Sequence, residues 1–386
     1  MDKYKKLGGE VLTSGQFLQT IRNMVYDYRV SLDSRDLMIL KAMCDDMFIT
    51  IADIHKQTNM SYKTALVHKK RLEERCRLRL IPRLDNSKIG LTNLLILVEG
   101  EAYIESPYFL SRQELLGVDQ YTFFSIAVPP RVVNKVYKDF EKRFSKMWIW
   151  EIDEFESSIS FGFYDADKGD WNIDWDSWSL YLSNVLSKGW DKVIPQKNKI
   201  DELSSLSGSP EKVKRITAKD LEFIVELLQR ADKPTLELSR KLEYDMRDAD
   251  RTKKSLFERG ILQPVLSIEH IGLNEHILFI VESDMDTLNA FVAAVRELPK
   301  AWIYWIKPLK GDGSLALACW LEAPSGSITP LERAVRQTLH PLAEYKLCFR
   351  SNQEGSQAPL LKLFDPQTET WRWGPEMLKI YLKKGK

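Results

Sequence analysis

Apolar positions recur at intervals of three and four through the first quarter of the chain. Leu37 and Leu40, Ile51 and Ile54, and Leu66 and Leu72 mark three short helices over residues 34–46, 50–58 and 61–75, the last opening at Ser61, a good N-cap. Upstream, Phe17, Ile21, Met24 and Tyr28 form one apolar stripe, which predicts a leading helix over 16–29. After the third helix the period shortens towards two, and residues 78–84 read as a strand.

Farther along, periods of two and of 3.6 succeed one another in a fixed order. Strands are expected at 276–282, 301–306, 314–321 and 345–350, with helices at 284–297 and about 329–339. That β-α-β-β-α-β order is the ferredoxin-like arrangement, a sheet with its helices on one face. The earlier half repeats it in part: strands at 93–99, 121–128 and 147–152 and a helix at 131–144. About eleven residues are missing between its first and third strands, so a stunted first helix and a doubtful second strand are expected there.

The pattern is doubled. Leu32-Asp33-Ser34-Arg35-Asp36-Leu37 returns about 184 residues later as Ile216-Thr217-Ala218-Lys219-Asp220-Leu221, and the register holds to Arg75 against Arg259. Copies of this length each have room for a core, so this is a duplicated module and not a solenoid repeat. The fold class expected is α+β, two copies of a winged helix-turn-helix plus a ferredoxin-like domain. The divisions are an N-terminal helix (1–31), a first winged helix (32–90), a first ferredoxin-like domain with an aromatic tail (91–197), a linker (198–213), a degenerate second winged helix (214–273) and a second ferredoxin-like domain with its own tail (274–386). The tails, Phe163-Tyr164-Asp165 leading to Trp171 and Trp175 and Leu363-Phe364-Asp365 leading to Trp371 and Trp373, read as added core or a protein interface. The acids around the first tail lack the spacing of a calcium loop.

Composition narrows the function classes. With 56 Lys and Arg against 55 Asp and Glu, net charge gives no reason to expect an acidic partner, so any such signal is local. Cys44, Cys76, Cys319 and Cys348 are far apart and read as thiols of a reducing compartment, not as a zinc site or a disulfide framework. No membrane span, cofactor or metal is expected, and the expected location is the cytoplasm. The local signal lies over residues 50–83, where nine bases face three acids. The matching stretch 234–267 is nearly balanced, with Asp245, Asp248 and Asp250 in its third helix. Ser61, Tyr62, Lys63 and Thr64 sit in the first turn of the first copy's third helix, the part that meets base edges. Lys69, Lys70, Arg79 and Arg83 are placed for phosphates, and the expected partner is double-stranded DNA.

These residues carry a resemblance. Leu32-Asp33, Asp36, Ile39-Leu40, Met60-Ser61, Thr64, Arg71-Leu72-Glu73-Glu74 and Asp85 to Leu91 resemble the archaeal and bacterial leucine-responsive/asparagine regulators, usually written Lrp/AsnC. The resemblance implies a DNA-binding transcription regulator whose ferredoxin-like domains dimerise, here within one chain, with a homodimer of chains also in view. It implies a small effector such as an amino acid near the turn between the middle strands. The nearest matches to that turn are Gly117 with Asp119 and Gly311-Asp312-Gly313. Three positions depart from the family pattern: His68 replaces the usual basic residue of the reading helix, Lys69 an apolar one, and Cys76 the closing glycine. His68 and Arg71 join the expected DNA-contacting set. A protein-interaction scaffold is the alternative. Siroheme decarboxylases resemble the same family and also pair unlike copies, but no His and Arg arrangement for a tetrapyrrole is visible in the sequence. The expectation is therefore a protein that is not an enzyme.

Overall fold

The computed structural model describes residues 29–117, 119–188, 216–310, 315–340, 342–355 and 358–382. The expected helix at 16–29, apart from Arg29, and the linker at 198–213 lie outside them.

The first three helices form as the periodicity predicts: α1 (Ser34–Asp45), α2 (Ile51–Thr58) and α3 (Tyr62–Arg75). Side-chain caps fix their starts. Asp33 and Asp36 make a capping box on α1, Thr50 caps α2, and Ser61 accepts from the Thr64 amide on α3. The second copy repeats them as α6 (Ala218–Leu227), α7 (Thr235–Leu242) and α8 (Met246–Glu258). The Cys76 departure moves the helix stop by one residue. In copy two Gly260 takes the left-handed backbone at φ +62°, whereas in copy one Arg77 takes it at φ +47°. A non-glycine residue is disfavoured there.

The strand after each three-helix unit does not fold back on its own copy. β1 (Arg79–Leu84) pairs antiparallel with β9 (Leu262–Ser267), Arg79 opposite Ser267 and Leu84 opposite Leu262. The expected local wing is thus a ribbon shared by the two copies. A row of unpaired amides and carbonyls is a template for another strand, and each copy offers the other its edge.

Beyond the ribbon, copy one contributes β2 (Thr92–Glu99), β4 (Phe109–Leu116), β5 (Gln120–Val128) and β6 (Met147–Ile159), and copy two β10 (Leu273–Glu282), β11 (Lys300–Pro308), β12 (Ala316–Pro324) and β13 (Glu344–Gly355). Each set lies in the order fourth, first, third, second. The sets join through β11–β6 and β13–β4 into a closed eight-stranded barrel, which leaves neither sheet an edge. Leu95, Leu97, Phe123, Trp150, Leu278, Ile280 and Trp320 fill the interior between the two sets. In copy two, α9 (Met285–Val295) and α10 (Ile328–Leu339) cover the outer face, and Leu288, Phe291, Val292, Leu331 and Val335 pack on it.

Copy one keeps α4 (Val133–Glu141) but has no first helix. Residues 100–108 are too few to cross the sheet helically where copy two uses residues 283–299. Instead the chain turns at Gly100 (φ +88°) into a short strand, β3 (Ala102–Glu105). The doubtful second strand is present as β4. Buried Arg112 holds β3 in place: its Nε donates to the Ala102 carbonyl and its guanidinium lies 3.9 Å from the Tyr103 ring centroid.

The aromatic tails interlock the copies reciprocally. After the two-residue strands β7 (Tyr164–Asp165) and β8 (Asp170–Trp171), the Trp171 indole donates to the Ile271 carbonyl of copy two at 2.7 Å. After α11 (Leu360–Leu363), β14 (Phe364–Asp365) and β15 (Thr370–Trp371), the Trp371 indole donates to the Ile89 carbonyl of copy one, also at 2.7 Å. Tail one continues as α5 (Trp175–Lys188), whose Trp178 donates to the Ala294 carbonyl at the end of α9. Trp175 therefore starts a helix, while Trp171 lies on β8. Tail two continues as β16 (Lys379–Leu382), which pairs with β3 where copy one lacks its helix.

Candidate functional site

The helix α3 buries Ala65 and Leu72 against Ile39, Leu40 and Ile54 and turns its other face outward. That face carries Tyr62 at 53% exposure, Leu66 at 47% and Val67 at 57%, with Lys63 and Lys70 beside them. Ser61 and Thr64 are occupied at the helix start: the Ser61 hydroxyl caps the Thr64 amide at 3.1 Å and lies 2.8 Å from the Thr64 hydroxyl.

The expected DNA-contacting residues fall into two groups. Lys63 has no ion-pair partner among the described residues. Lys69 and Lys70 reach only partly exposed carboxylates one turn on, Glu73 at 4.0 Å and Glu74 at 3.6 Å, pairings that water and salt weaken. The others are engaged inside the molecule. Asp36 is fully buried, and Arg71 pairs with it and donates to the Ser31 carbonyl, while His68 Nδ1 lies 2.9 Å from its other oxygen. An ionised carboxylate at zero exposure requires such partners, which ties α3 to α1. Asp33, Asp36 and His68 could together ligate a cation, but the Arg71 guanidinium already supplies positive charge there.

Arg79 and Arg77 both reach Glu269 of copy two at 3.1 Å, across the β1–β9 ribbon. Arg83 stacks over Phe155 at 3.2 Å and lies 5.5 Å from the Tyr304 ring centroid. His68, Arg71 and Arg83 are thus drawn away from the outward face by long-range partners that local sequence does not reveal. In copy two the acids are also engaged. Asp245 caps α8, Asp248 pairs with Lys219 and Arg251, and Asp250 pairs with Lys254.

Of the expected effector residues, Gly117 and Asp119 form the turn between β4 and β5, with the Gly117 amide donating to the Asp119 carbonyl at 3.0 Å. This turn packs on copy two: a Cβ at Gly117 would sit 3.2 Å from the Leu347 carbonyl, so only glycine fits comfortably. Gly117 lines a cavity of about 960 Å³ with Tyr121, Glu282, Arg336, His340 and Lys346. Gly311, Asp312 and Gly313 lie outside the described residues.

Two further cavities open beside the strands that leave the ribbon, and sequence reasoning missed both. One, of about 340 Å³, is lined by Arg29, Glu269, His276 and Glu322. Burial, with Arg350 nearby, pushes the His276 imidazole down to about 4, so it is neutral at pH 7. The other, of about 590 Å³, is lined by Arg83, Asn93, Ser111, Ser125, Tyr304 and Gln353 together with apolar side chains. The residue pattern did carry one signal, a polar side chain two places before the first interior leucine of each barrel set: Asn93 before Leu95 and His276 before Leu278.

Among the described residues no helix is long and apolar enough to cross a membrane. No protein-family model and no curated protein matches the chain. Among solved structures, the siroheme decarboxylase NirDL is similar at 14% identity and a TM-score of 0.43, covering 83% of this chain and 92% of its own; the same enzyme with an iron-uroporphyrin III analogue gives 13% and 0.43. An AsnC family transcriptional regulator from Agrobacterium tumefaciens is similar at 18% identity and a TM-score of 0.26, covering 32% of this chain and 91% of its own. The expectation of a protein that is not an enzyme does not stand beside these neighbours, because those covering most of the chain are structures of an enzyme. The described residues themselves form a mixed α+β structure.

Proposed function

We propose that the chain is a DNA-binding regulator in which α3 reads duplex DNA. In this reading residues 32–90 and 214–273 are winged helices, 91–197 and 274–386 are ferredoxin-like domains, and the copies form a pseudo-dimer within one chain. The observation that carries it is the outward face of α3, where Tyr62, Leu66 and Val67 stand exposed between Lys63 and Lys70. Thymine methyl groups reward apolar contact in the major groove, and the lysines match the flanking phosphates. Ser61 caps the Thr64 amide at the helix N-terminus, the end that in this reading enters the same groove. A small effector such as an amino acid would take the cavity beside Gly117, where one copy's turn meets the other's barrel strand. A salt titration of duplex binding tests the reading. The double variant Lys63→Glu with Lys69→Glu should bind at least about ten-fold more weakly, with the salt slope reduced by about two. An unchanged affinity and slope would remove α3 as the reader.

A second reading, chemistry within the barrel, has one observation in its favour: His276 is a neutral imidazole beside Glu322 and Arg350 in a cavity. Such a group can accept a proton. Mixing the protein with iron uroporphyrin and recording its visible absorption gives the test. A shifted band that disappears in His276→Ala supports this reading, and an unshifted band counts against it.

A further inference from the structure

The cavity beside Arg83 differs in composition from the two other cavities described above. Its wall is apolar over Pro82, Leu84, Leu110, Ile152, Leu228 and Leu360, and its polar groups are neutral except one. Among the described residues no carboxylate and no lysine lines it. Arg83 is the single charge, and among the described residues it makes no ion pair. Its guanidinium face is held by the Phe155 and Tyr304 rings, which use the π surface and leave the N–H edge unspent. Burial pushes the group down to about 10, so it stays protonated at neutral pH.

One polar group beside the cavity, though not in its lining, is short of a partner. Asn93 is 7% exposed, and its carbonyl accepts from the Asn86 amide at 2.7 Å. Gln113, 8% exposed and opposite Gln353 across the β4–β13 pair, has a buried Oε1 with no hydrogen bond. A half-buried cation with no ion pair, with Asp85 near enough only to act on its charge, is most simply relieved by an anion. At about 590 Å³ the cavity has the size of a small-molecule site.

We infer that this cavity binds a small monocarboxylate with an apolar body, the carboxylate lying against the Arg83 guanidinium and the body against Leu84, Leu110, Ile152 and Leu228. A planar carboxylate matches the guanidinium fork and balances one charge with one charge, whereas a phosphate dianion would leave a negative charge uncompensated. This site is separate from the α3 face and from the cavity beside Gly117, so it stands or falls independently of the DNA reading.

Calorimetric titration of the full chain with octanoate and with indole-3-acetate tests it, with inorganic phosphate and octylamine as controls. The carboxylates should bind saturably at one site, and neither control should. Arg83→Met, which keeps length and removes charge, should weaken carboxylate binding about ten-fold or more. Because Arg83→Met could disturb the aromatic stack, the exposed Gln353→Glu provides a second variant. It adds a negative charge at the rim and should weaken binding several-fold with the fold intact by circular dichroism. Absence of saturable binding by both carboxylates at millimolar concentration would overturn the proposal. So would binding that both variants leave unchanged, or phosphate binding in their place.

Discussion

The two copies start from the same caps and the same three-helix register, yet they use their charges differently. In copy one the excess of bases over residues 50–83 overstates the charge left without a partner. Arg71 goes to buried Asp36, Arg77 and Arg79 to Glu269, and Arg83 to an aromatic stack. In copy two the acids that break the basic pattern also have partners, Asp248 in half-buried Lys219 and Asp250 in exposed Lys254. Charge counted along a sequence therefore differs from the charge a ligand meets. The outward face of α3 retains two lysines and three exposed apolar side chains, a composition suited to a groove with methyl groups as well as phosphates.

The comparison can be broken most directly at the paired aspartates. Asp36→Ala should cost about 3–5 kcal/mol, since it leaves Arg71 and His68 without their fully buried partner. Asp220→Ala should cost about 1 kcal/mol: its side chain keeps the Thr217 capping box, but its ion pair to Arg259 is long at 3.8 Å. Urea denaturation of both variants measures the gap, and equal losses would mean that the two heads are held alike.

The barrel cavities separate the copies by pH, because copy two has His276 where copy one has Asn93. The folded pKa of His276 is near 4 and its ordinary value is 6.5, so between those values the unfolded chain binds more protons. Its contribution to stability is present above pH 6.5 and lost as pH falls towards 4. Allowing for partial solvent access, the loss is about 1–2 kcal/mol. His276→Asn should flatten that part of the stability–pH curve, and an unaltered slope would show that the imidazole titrates normally.

The smallest effect is expected at the ribbon. Glu269→Gln should lower stability by less than about 1 kcal/mol, because both of its arginine partners are exposed. It also frees Arg77 and Arg79. If the ribbon lies near DNA, the salt slope of duplex binding should rise by up to about two; an unchanged slope would confine the interface to α3.

Much of the secondary structure was readable from residue order alone. The helices of the first copy, and the strands and helices of the second half, fall within a few residues of their expected limits, because amphipathic periods are local and the core faces they mark are buried. Chain length showed that the first helix of copy one is cut short, but that the helix is absent and replaced by β3 was not readable. That strand finds its partner only in β16, nearly three hundred residues away. The candidate site was half readable. Tyr62, Lys63, Lys69 and Lys70 lie on the accessible part of α3, while His68, Arg71 and Arg83 are claimed by partners that no local pattern announces.

By itself the sequence determined the doubled order of elements, the caps that start the helices and the apolar faces they bury, since each depends on neighbours within a few residues. Tertiary structure alone decided how the copies exchange their parts. The β1–β9 ribbon, the crossed tryptophan tails and the closed barrel each satisfy one copy's backbone edge or indole N–H with the other copy's atoms. It also decided which cations remain available, because burial makes a charge seek a partner wherever the fold provides one.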